Sequence, residues 1–258
     1  MRNISAQQGR RARSVASVTV LLVAAACIDS GNRTTGPSSN AGVGARKASG
    51  DVILGIPPML PCVDSIFKAN FTADALNAFP GAPVIGSWVG NQSAGTIRVR
   101  SAIGLLAKPV ELTQRAGLTG GVDLKGTVHC MSAPSTGTVY VDWRSLVRSS
   151  TVVFAAVALR DNQSRVLGSV EYRPNGAVTY NGIPVPGVAW VANVHRQFRI
   201  RVDLAARTTS LYVDNVLKLA NVPYFQATAS NFWRISMELG GTSAQSFAWD
   251  DILVVRYN

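Results

Sequence analysis

Beyond residue 50, apolar and polar residues alternate with the two-residue period that is typical of β-strands. Residues 96–100 and residues 198–203 place apolar side chains at every second position, with charged ones between them. This pattern predicts strands with one face in the core and one face in water. Residues 151–159 are almost continuously apolar and are predicted to form a central strand that is covered on both faces. Helical periodicity is nearly absent from this part of the chain.

Turn signals separate the apolar runs at the spacing of β-hairpins. The dipeptide Asn175-Gly176 lies between two strand-like runs, residues 170–172 and residues 178–180, and Asn-Gly favours the tight turn of a hairpin. Residues 247–257 are expected to form the last strand. About twelve such strands without helices predict an all-β fold of two packed antiparallel sheets, a jelly-roll sandwich.

One consecutive pair of runs, residues 198–203 and residues 208–215, resembles a strand pair of laminin-G-like and concanavalin A-like sandwiches. In those families the first strand alternates and ends in Asp, and the second strand ends in Val-Asp-Gly. Here Asn215 takes the place of the Gly, and Asn also tolerates a left-handed turn. Residues 249–254 resemble the closing strand of such domains. The resemblance covers roughly residues 62–258; it implies a concanavalin A-like fold and says little about function.

The N-terminal segment has a different pattern. Arg10, Arg11 and Arg13 precede an uncharged run, residues 14–26, which is too short for a bilayer because a spanning helix needs about 20 apolar residues. A basic region, a short apolar region and small residues before a cleavage point are typical of a secretory signal peptide. We therefore expect residues 1–26 to be a leader that is removed from the mature protein.

Cys27 directly follows the small residues Ala24, Ala25 and Ala26. This arrangement resembles the lipobox of bacterial lipoproteins, in which the Cys carries acyl chains such as palmitate and becomes the new N-terminus. Two or more acyl chains hold a protein stably at a membrane. The resemblance implies an exported protein that is lipid-anchored to the bacterial membrane. In a Gram-negative source, it also implies sorting to the outer membrane, because Ile28, not Asp, follows Cys27. An ordinary signal peptide that is cut after Ala26 is the alternative.

A tether and a disulfide follow from the composition of the mature chain. Residues 27–50 are rich in Ser, Thr, Gly, Asn and Ala and are predicted to form a flexible tether to a sandwich domain, residues 51–258, because they bury too little apolar surface to fold. With Cys27 acylated, Cys62 and Cys130 remain, and they are expected to form a disulfide in an oxidising compartment. Two buried free thiols are the alternative.

The formal net charge of +11 does not indicate nucleic-acid binding. Residues 1–50 hold seven Lys and Arg against one Asp, whereas residues 51–258 hold eighteen against thirteen Asp and Glu. More than half of the excess therefore lies in the leader and tether, and the remaining basic residues are scattered along strands instead of clustering as a phosphate-binding stripe would. Mild attraction to anionic lipid or to an acidic polysaccharide remains compatible with this charge.

The acidic residues do not form the catalytic pattern of concanavalin A-like glucanases, which resemble one another in carrying carboxylates at alternate positions of one strand. The three glutamates, Glu111, Glu171 and Glu238, lie in three different segments, so the sequence argues against a glycosidase. Similar lyases use a His with a Tyr, and His129 with Tyr140 is the corresponding alternative. Both histidines of the chain are otherwise interpreted as turn or edge residues.

The adjacent residues Asp250 and Asp251 suggest a structural calcium site, because calcium prefers oxygen ligands. Neighbouring strand residues point to opposite faces, so Asp251 alone is expected to bind the ion, together with Asp74 and Asn70. A charge-capped strand start is the alternative, and no other cofactor is expected.

Exposed aromatic side chains are the candidates for sugar stacking. Trp190, in the Pro- and Gly-rich stretch at residues 183–191, and Tyr180, beside Asn181-Gly182, are the best candidates for exposure. The sequence therefore favours a lectin-like lipoprotein that binds carbohydrate without catalysis. A polysaccharide lyase or glycoside hydrolase with unrecognised active residues and a structural or adhesive surface protein are the alternatives.

Overall fold

A computed structural model of the protein describes residues 64–130, 132–149 and 154–257. These residues form strands joined by turns, with a single 3₁₀ turn at Pro174–Gly176. The fifteen strands are, in chain order, β1 (Asp64–Ala69), β2 (Ser87–Asn91), β3 (Gly95–Val99), β4 (Val110–Gln114), β5 (Val122–Thr127), β6 (Thr138–Val147), β7 (Phe154–Arg160), β8 (Val166–Tyr172), β9 (Ala177–Tyr180), β10 (Ile183–Ala189), β11 (His195–Asp203), β12 (Thr208–Val213), β13 (Val216–Pro223), β14 (Arg234–Gly240) and β15 (Gln245–Tyr257).

The strands form two antiparallel sheets. The eight-stranded sheet has the order β13-β12-β11-β6-β15-β4-β3, and β1 pairs with β15 as well. The seven-stranded sheet has the order β10-β9-β8-β7-β14-β5-β2. The predicted all-β fold of two antiparallel sheets is confirmed. Three strands more than expected are present because β2, β10 and β13 are exposed edge strands in which the apolar alternation is weak.

The hydrophobic core lies between the sheets and follows from the alternation. In β5, Val122 and Leu124 are buried in the core while Asp123 and Lys125 point away from it. Aromatic rings fill the middle: Trp143 stacks on Phe198 with ring centroids 5.4 Å apart. Burial of apolar surface on this scale is the main favourable contribution to folding.

The predicted central strand and the predicted hairpin are both present. β7 lies between β8 and β14, and its residues 155–159 are all buried. β8 and β9 pair with Tyr172 opposite Val178. The turn between them contains Asn175 at φ 64°, a left-handed conformation that Asn adopts more readily than most residues.

One glycine is required by close packing between the sheets. A Cβ on Gly126 of β5 would lie 2.6 Å from the ring of Phe67, which is closer than real contacts allow. Phe67 also makes an edge contact with Trp88, with ring centroids 4.9 Å apart. The glycine therefore lets β5 approach the core aromatic rings of β1 and β2.

The leader, the tether, Cys27 and Cys62 lie outside the described residues, so the predicted domain boundaries and lipidation stay predictions. Cys130 is buried, and its pairing with Cys62 likewise stays a prediction. No helix within the described ranges is both long enough and apolar enough to cross a bilayer.

Candidate functional site

The outer face of the seven-stranded sheet carries the side chains that alternate with the core residues, and it brings three carboxylates into one row. Glu238 of β14 is in register with Asp123 of β5 on one side and with Ala156 of β7 on the other. Ala156 is in turn in register with Glu171 of β8. Since neighbouring strands are about 4.8 Å apart, the Cα atoms of Glu238 and Glu171 are about 10 Å apart across Ala156.

Each carboxylate in this row has a cationic partner. The guanidinium of Arg160 donates to Glu238 with 2.8 Å between Nη2 and Oε1, and its Nε donates to the Ser236 hydroxyl at 3.0 Å. Lys125 pairs with Asp123 at 3.2 Å between Nζ and Oδ1. The three acids are thus held in fixed positions by neighbours on their own face.

Glu171 sits between two donors, close to an aromatic ring. Arg173 donates to its carboxylate, and the Thr179 hydroxyl donates to Oε2 at 3.0 Å. The Arg173 guanidinium also lies over the Phe154 ring, 5.6 Å from the centroid, a cation–π geometry. Phe154 alternates with the core residues of β7 and so belongs to the outer face.

Small side chains lie between these charged groups. Ala156, Ala158, Ser169 and Ser236 are buried although they point away from the core. They form the floor of a surface that we call the polar face, defined by the acidic row with Arg160, Arg173, Lys125 and this floor. Because these small residues are almost fully buried, the long polar side chains of the polar face must lie over them.

The polar face corrects one expectation from the sequence. The three glutamates were expected to be separate, but Glu171 and Glu238 share the polar face two strands apart. Only Glu111, on β4 of the other sheet, remains remote. The spacing of residues along the chain did not reveal this row because strand register, not sequence distance, assembles it.

The predicted sugar-stacking residues are not on this face, and their expected exposure is wrong. Tyr180 is fully buried in the core, and Trp190 is 9% exposed with its indole N–H donating to the Arg173 carbonyl at 2.8 Å. Tyr180 follows Val178 by two positions on β9, so both side chains point into the core. Neither aromatic ring is free to stack on a sugar.

The predicted calcium ligands have other contacts. Asp251 pairs with Arg144 at 3.2 Å, the Asp74 carboxylate lies against Gly81, and Asn70 accepts a hydrogen bond from the Thr72 hydroxyl at 3.0 Å. Among the described residues, no three His, Cys, Asp or Glu side chains are grouped as a metal site. The calcium site therefore stays a hypothesis.

Asp250, not Asp251, is the buried member of the acidic pair. A β-bulge between residues 250 and 253 shifts the register of β15 against β6, and Asp251 adopts φ 51°. The Asp250 carboxylate accepts hydrogen bonds from the backbone N–H groups of Lys108 and Asp251. Burial raises the pKa of Asp250 above its usual value, as expected for a carboxyl removed from water.

The alternative lyase pair is divided between the sheets. His129 follows β5 of the seven-stranded sheet, whereas Tyr140 lies on β6 of the eight-stranded sheet. Tyr140 points away from the core and packs edge-to-face against Tyr257, with centroids 5.6 Å apart. The structure gives no support to a shared role for these two residues.

Comparison with known proteins rests on shape alone. No protein-family model matches the sequence, and no curated protein is detectably similar to it. The structure is similar to the catalytic domain of a glycoside hydrolase family 131 protein from Coprinopsis cinerea, with a TM-score of 0.54, 10% identity, and coverage of 75% of this chain and 94% of that one. The fold is a jelly roll.

Two further structures show the same likeness. A GH131 β-glucanase catalytic domain from Podospora anserina gives a TM-score of 0.50 at 11% identity, covering 67% of this chain and 86% of that one. A sialidase gives 0.51 at 11% identity, and the match covers 69% of this chain but 22% of the sialidase. Since folds persist while functions change, likeness at such low identity establishes the jelly roll and not an activity.

Proposed function

We propose that this protein binds carbohydrate without catalysis, through the polar face of the seven-stranded sheet. The observation that carries the proposal is the row of Asp123, Glu238 and Glu171, each fixed by a basic side chain above a floor of small residues. Sugar hydroxyls both donate and accept hydrogen bonds. Fixed carboxylates and guanidinium groups side by side satisfy both needs without a large ordering cost.

The half-buried ring of Phe154 adds an apolar contact at the edge of the polar face. It lies beside Arg173, which also binds Glu171. Ligand sites commonly combine an apolar surface with a few placed polar groups. The similar shapes of two glycoside hydrolase catalytic domains and a sialidase support a carbohydrate as the ligand class.

A glycoside hydrolase is the second candidate, favoured by one observation. Glu171 and Glu238 face each other across Ala156, and a Cα separation of about 10 Å allows the carboxyl spacing of roughly 6.5–9.5 Å that inverting enzymes use. One of the two must then act as a proton donor. Both are instead held by arginines, which favours binding over catalysis.

A glycan array with the detergent-solubilised full chain tests the proposal, beside reducing-end and unsaturated-product assays on the glycans that bind. We expect Glu238→Gln and Glu171→Gln to lose binding, since each removes a charged acceptor and leaves an arginine unpaired. Asp214→Asn is the matched control because it breaks a similar pair, with Arg196 at 2.6 Å, on the other sheet.

The outcomes separate the candidates. Binding that is lost in the two glutamate variants, kept in Asp214→Asn and unaccompanied by product supports the proposal. Formation of new reducing ends that stops in the glutamate variants would establish the hydrolase instead. Binding that is unchanged in both glutamate variants would remove the polar face as the site.

A further inference from the structure

A cation-rich cavity lies on the outer face of the eight-stranded sheet, on the other side of the sandwich from the polar face. Its volume is about 320 Å³, and it is lined by Arg100, Ser101, Ala102, Ile103, Glu111 and Arg148. Arg100 follows β3, Glu111 lies on β4 and Arg148 follows β6. Three separate segments therefore build the cavity.

The cavity wall carries one net positive charge. Glu111 is 8% exposed, and its two carboxylate oxygens are shared between Arg100, at 2.7 Å, and Arg148, at 3.5 Å. Arg100 also donates to Asn77 at 2.6 Å. The Nη groups of Arg148 have no hydrogen-bond partner within the described part of the chain, so they are free to hold a singly charged oxyanion.

A rigid turn with an exposed aliphatic tip borders this cavity. Ile103 and Leu106 exchange backbone hydrogen bonds of 2.9 and 3.0 Å, and both pack on Leu146 and Ala248. Leu105, at the tip between them, is 72% exposed. The packing beneath holds the tip out into solvent.

A second loop beside this turn exposes two more aliphatic side chains. Val191 is 58% exposed and Val194 is 47% exposed. The backbone N–H of Asn193 donates to the Val147 carbonyl at 2.7 Å, which fixes the loop to the end of β6. A Cβ on Gly104 would lie 3.6 Å from the Asn193 carbonyl oxygen, so the two loops are in contact.

We propose that Leu105, Val191, Val194, Arg100 and Arg148, here called the tip surface, dock the domain on an anionic phospholipid bilayer. The aliphatic side chains enter the headgroup region, and the cavity arginines bind a lipid phosphodiester. Membrane-surface binding combines apolar burial with attraction to anionic lipid in this way, and a guanidinium matches phosphate geometry. An acidic polysaccharide would match the charge but leave three aliphatic side chains in water.

The position of a fluorescent label tests this orientation in the full chain with Cys27→Ser, which removes the predicted acylation site. One variant carries the label at Leu105→Cys, and the control carries it at Phe225→Cys, also an exposed hydrophobic position. Phe225 comes two positions after Pro223, which lies in register with Thr208. Thr208 is aligned through Asp203 with Thr138, the first residue of β6, whereas the tip surface lies where β6 ends. That separation is about 30 Å along the ten residues of β6.

On vesicles of phosphatidylcholine with phosphatidylglycerol, we expect the label at position 105 to shift to shorter wavelength and to be quenched by bilayer nitroxides. The label at position 225 should stay in water. In unlabelled chains, Arg148→Gln should weaken binding about fivefold, since one basic residue near the surface contributes about 1 kcal/mol. Arg201→Gln, which loses the same charge toward the far end of the sheet, is the control and should change binding much less.

Three results would overturn the proposal. The first is a vesicle-bound chain whose label at position 105 remains in water, and the second is an equal loss of binding in Arg148→Gln and Arg201→Gln. The third is a response of the 105 label to soluble polygalacturonate but not to vesicles, which would assign the cavity to an acidic sugar. Because the tip surface and the polar face lie on different sheets, failure here leaves the carbohydrate proposal untouched.

Discussion

A buried hydrogen bond links the two sheets through Ser145 of β6 and Tyr172 of β8. Their hydroxyl oxygens are 2.7 Å apart, and both residues are almost fully buried. Burial also raises the pKa of Tyr172, so the phenol stays protonated at ordinary pH. The pair is suited to a double-mutant cycle because each hydroxyl can be removed with little change in shape.

We expect Ser145→Ala and Tyr172→Phe each to lower the free energy of unfolding by about 2 kcal/mol, since each leaves a buried hydroxyl without its partner. For a domain of this size, that corresponds to a fall in Tm of about 4–8 °C. The double variant strands no hydroxyl, so its loss should be close to that of one single variant and well below the sum of about 4 kcal/mol.

Urea unfolding of the four proteins, followed by tryptophan fluorescence, measures these differences. Tyr212→Phe is the control because Tyr212 is half-buried on the outer face of the eight-stranded sheet, and it should change stability by less than about 0.5 kcal/mol. Additive losses in the double variant would refute the reasoning, because they would mean that the two hydroxyls do not depend on each other.

Three further expectations concern other parts of the molecule. Burial raises the pKa of Asp250, so the folded chain binds this proton more tightly than the unfolded chain does. The stability that Asp250 contributes therefore falls as the pH rises above 3.8, the usual pKa of the group. Urea unfolding from about pH 3 to 7 should show Asp250→Asn gaining stability relative to the unmodified chain over that rise, and a constant difference would contradict this. Gly126→Ala should lower stability by about 1–3 kcal/mol because its Cβ would clash with Phe67. Equal melting temperatures for Gly126→Ala and the unmodified chain would exclude the packing argument. If calcium binds near Asp251, a chelator should lower Tm and Asp251→Asn should abolish that effect; an unchanged Tm would end the calcium hypothesis.

The fold was predictable because its core strands carry the alternation in their own residues. In β5, Val122 and Leu124 point inward and Asp123 and Lys125 outward, and any one such strand indicates a half-buried sheet. Edge strands were harder to predict: β10 has prolines at positions 184 and 186 and little buried surface. An edge strand needs hydrogen bonds on one side alone, so its sequence is less constrained.

The polar face was not predictable because it depends on register between strands that are distant in sequence. Asp123 and Glu238 are neighbours although 115 positions separate them, and core packing fixes that alignment. The predicted exposure of Tyr180 was wrong for a local reason. The Asn and Gly that follow Tyr180 suggested an exposed loop, but Tyr180 alternates with Thr179 along β9 and therefore points into the core.

The strand β15 has a consequence for the order of events during synthesis. Its thirteen residues pair with β6, β4 and β1, so the middle of the larger sheet is supplied by the last of the fifteen described strands in chain order. Until then β4 and β6 lack a common neighbour and β1 lacks its partner, and the nascent chain cannot close its larger layer. The sandwich can therefore be completed only once β15 has been synthesised.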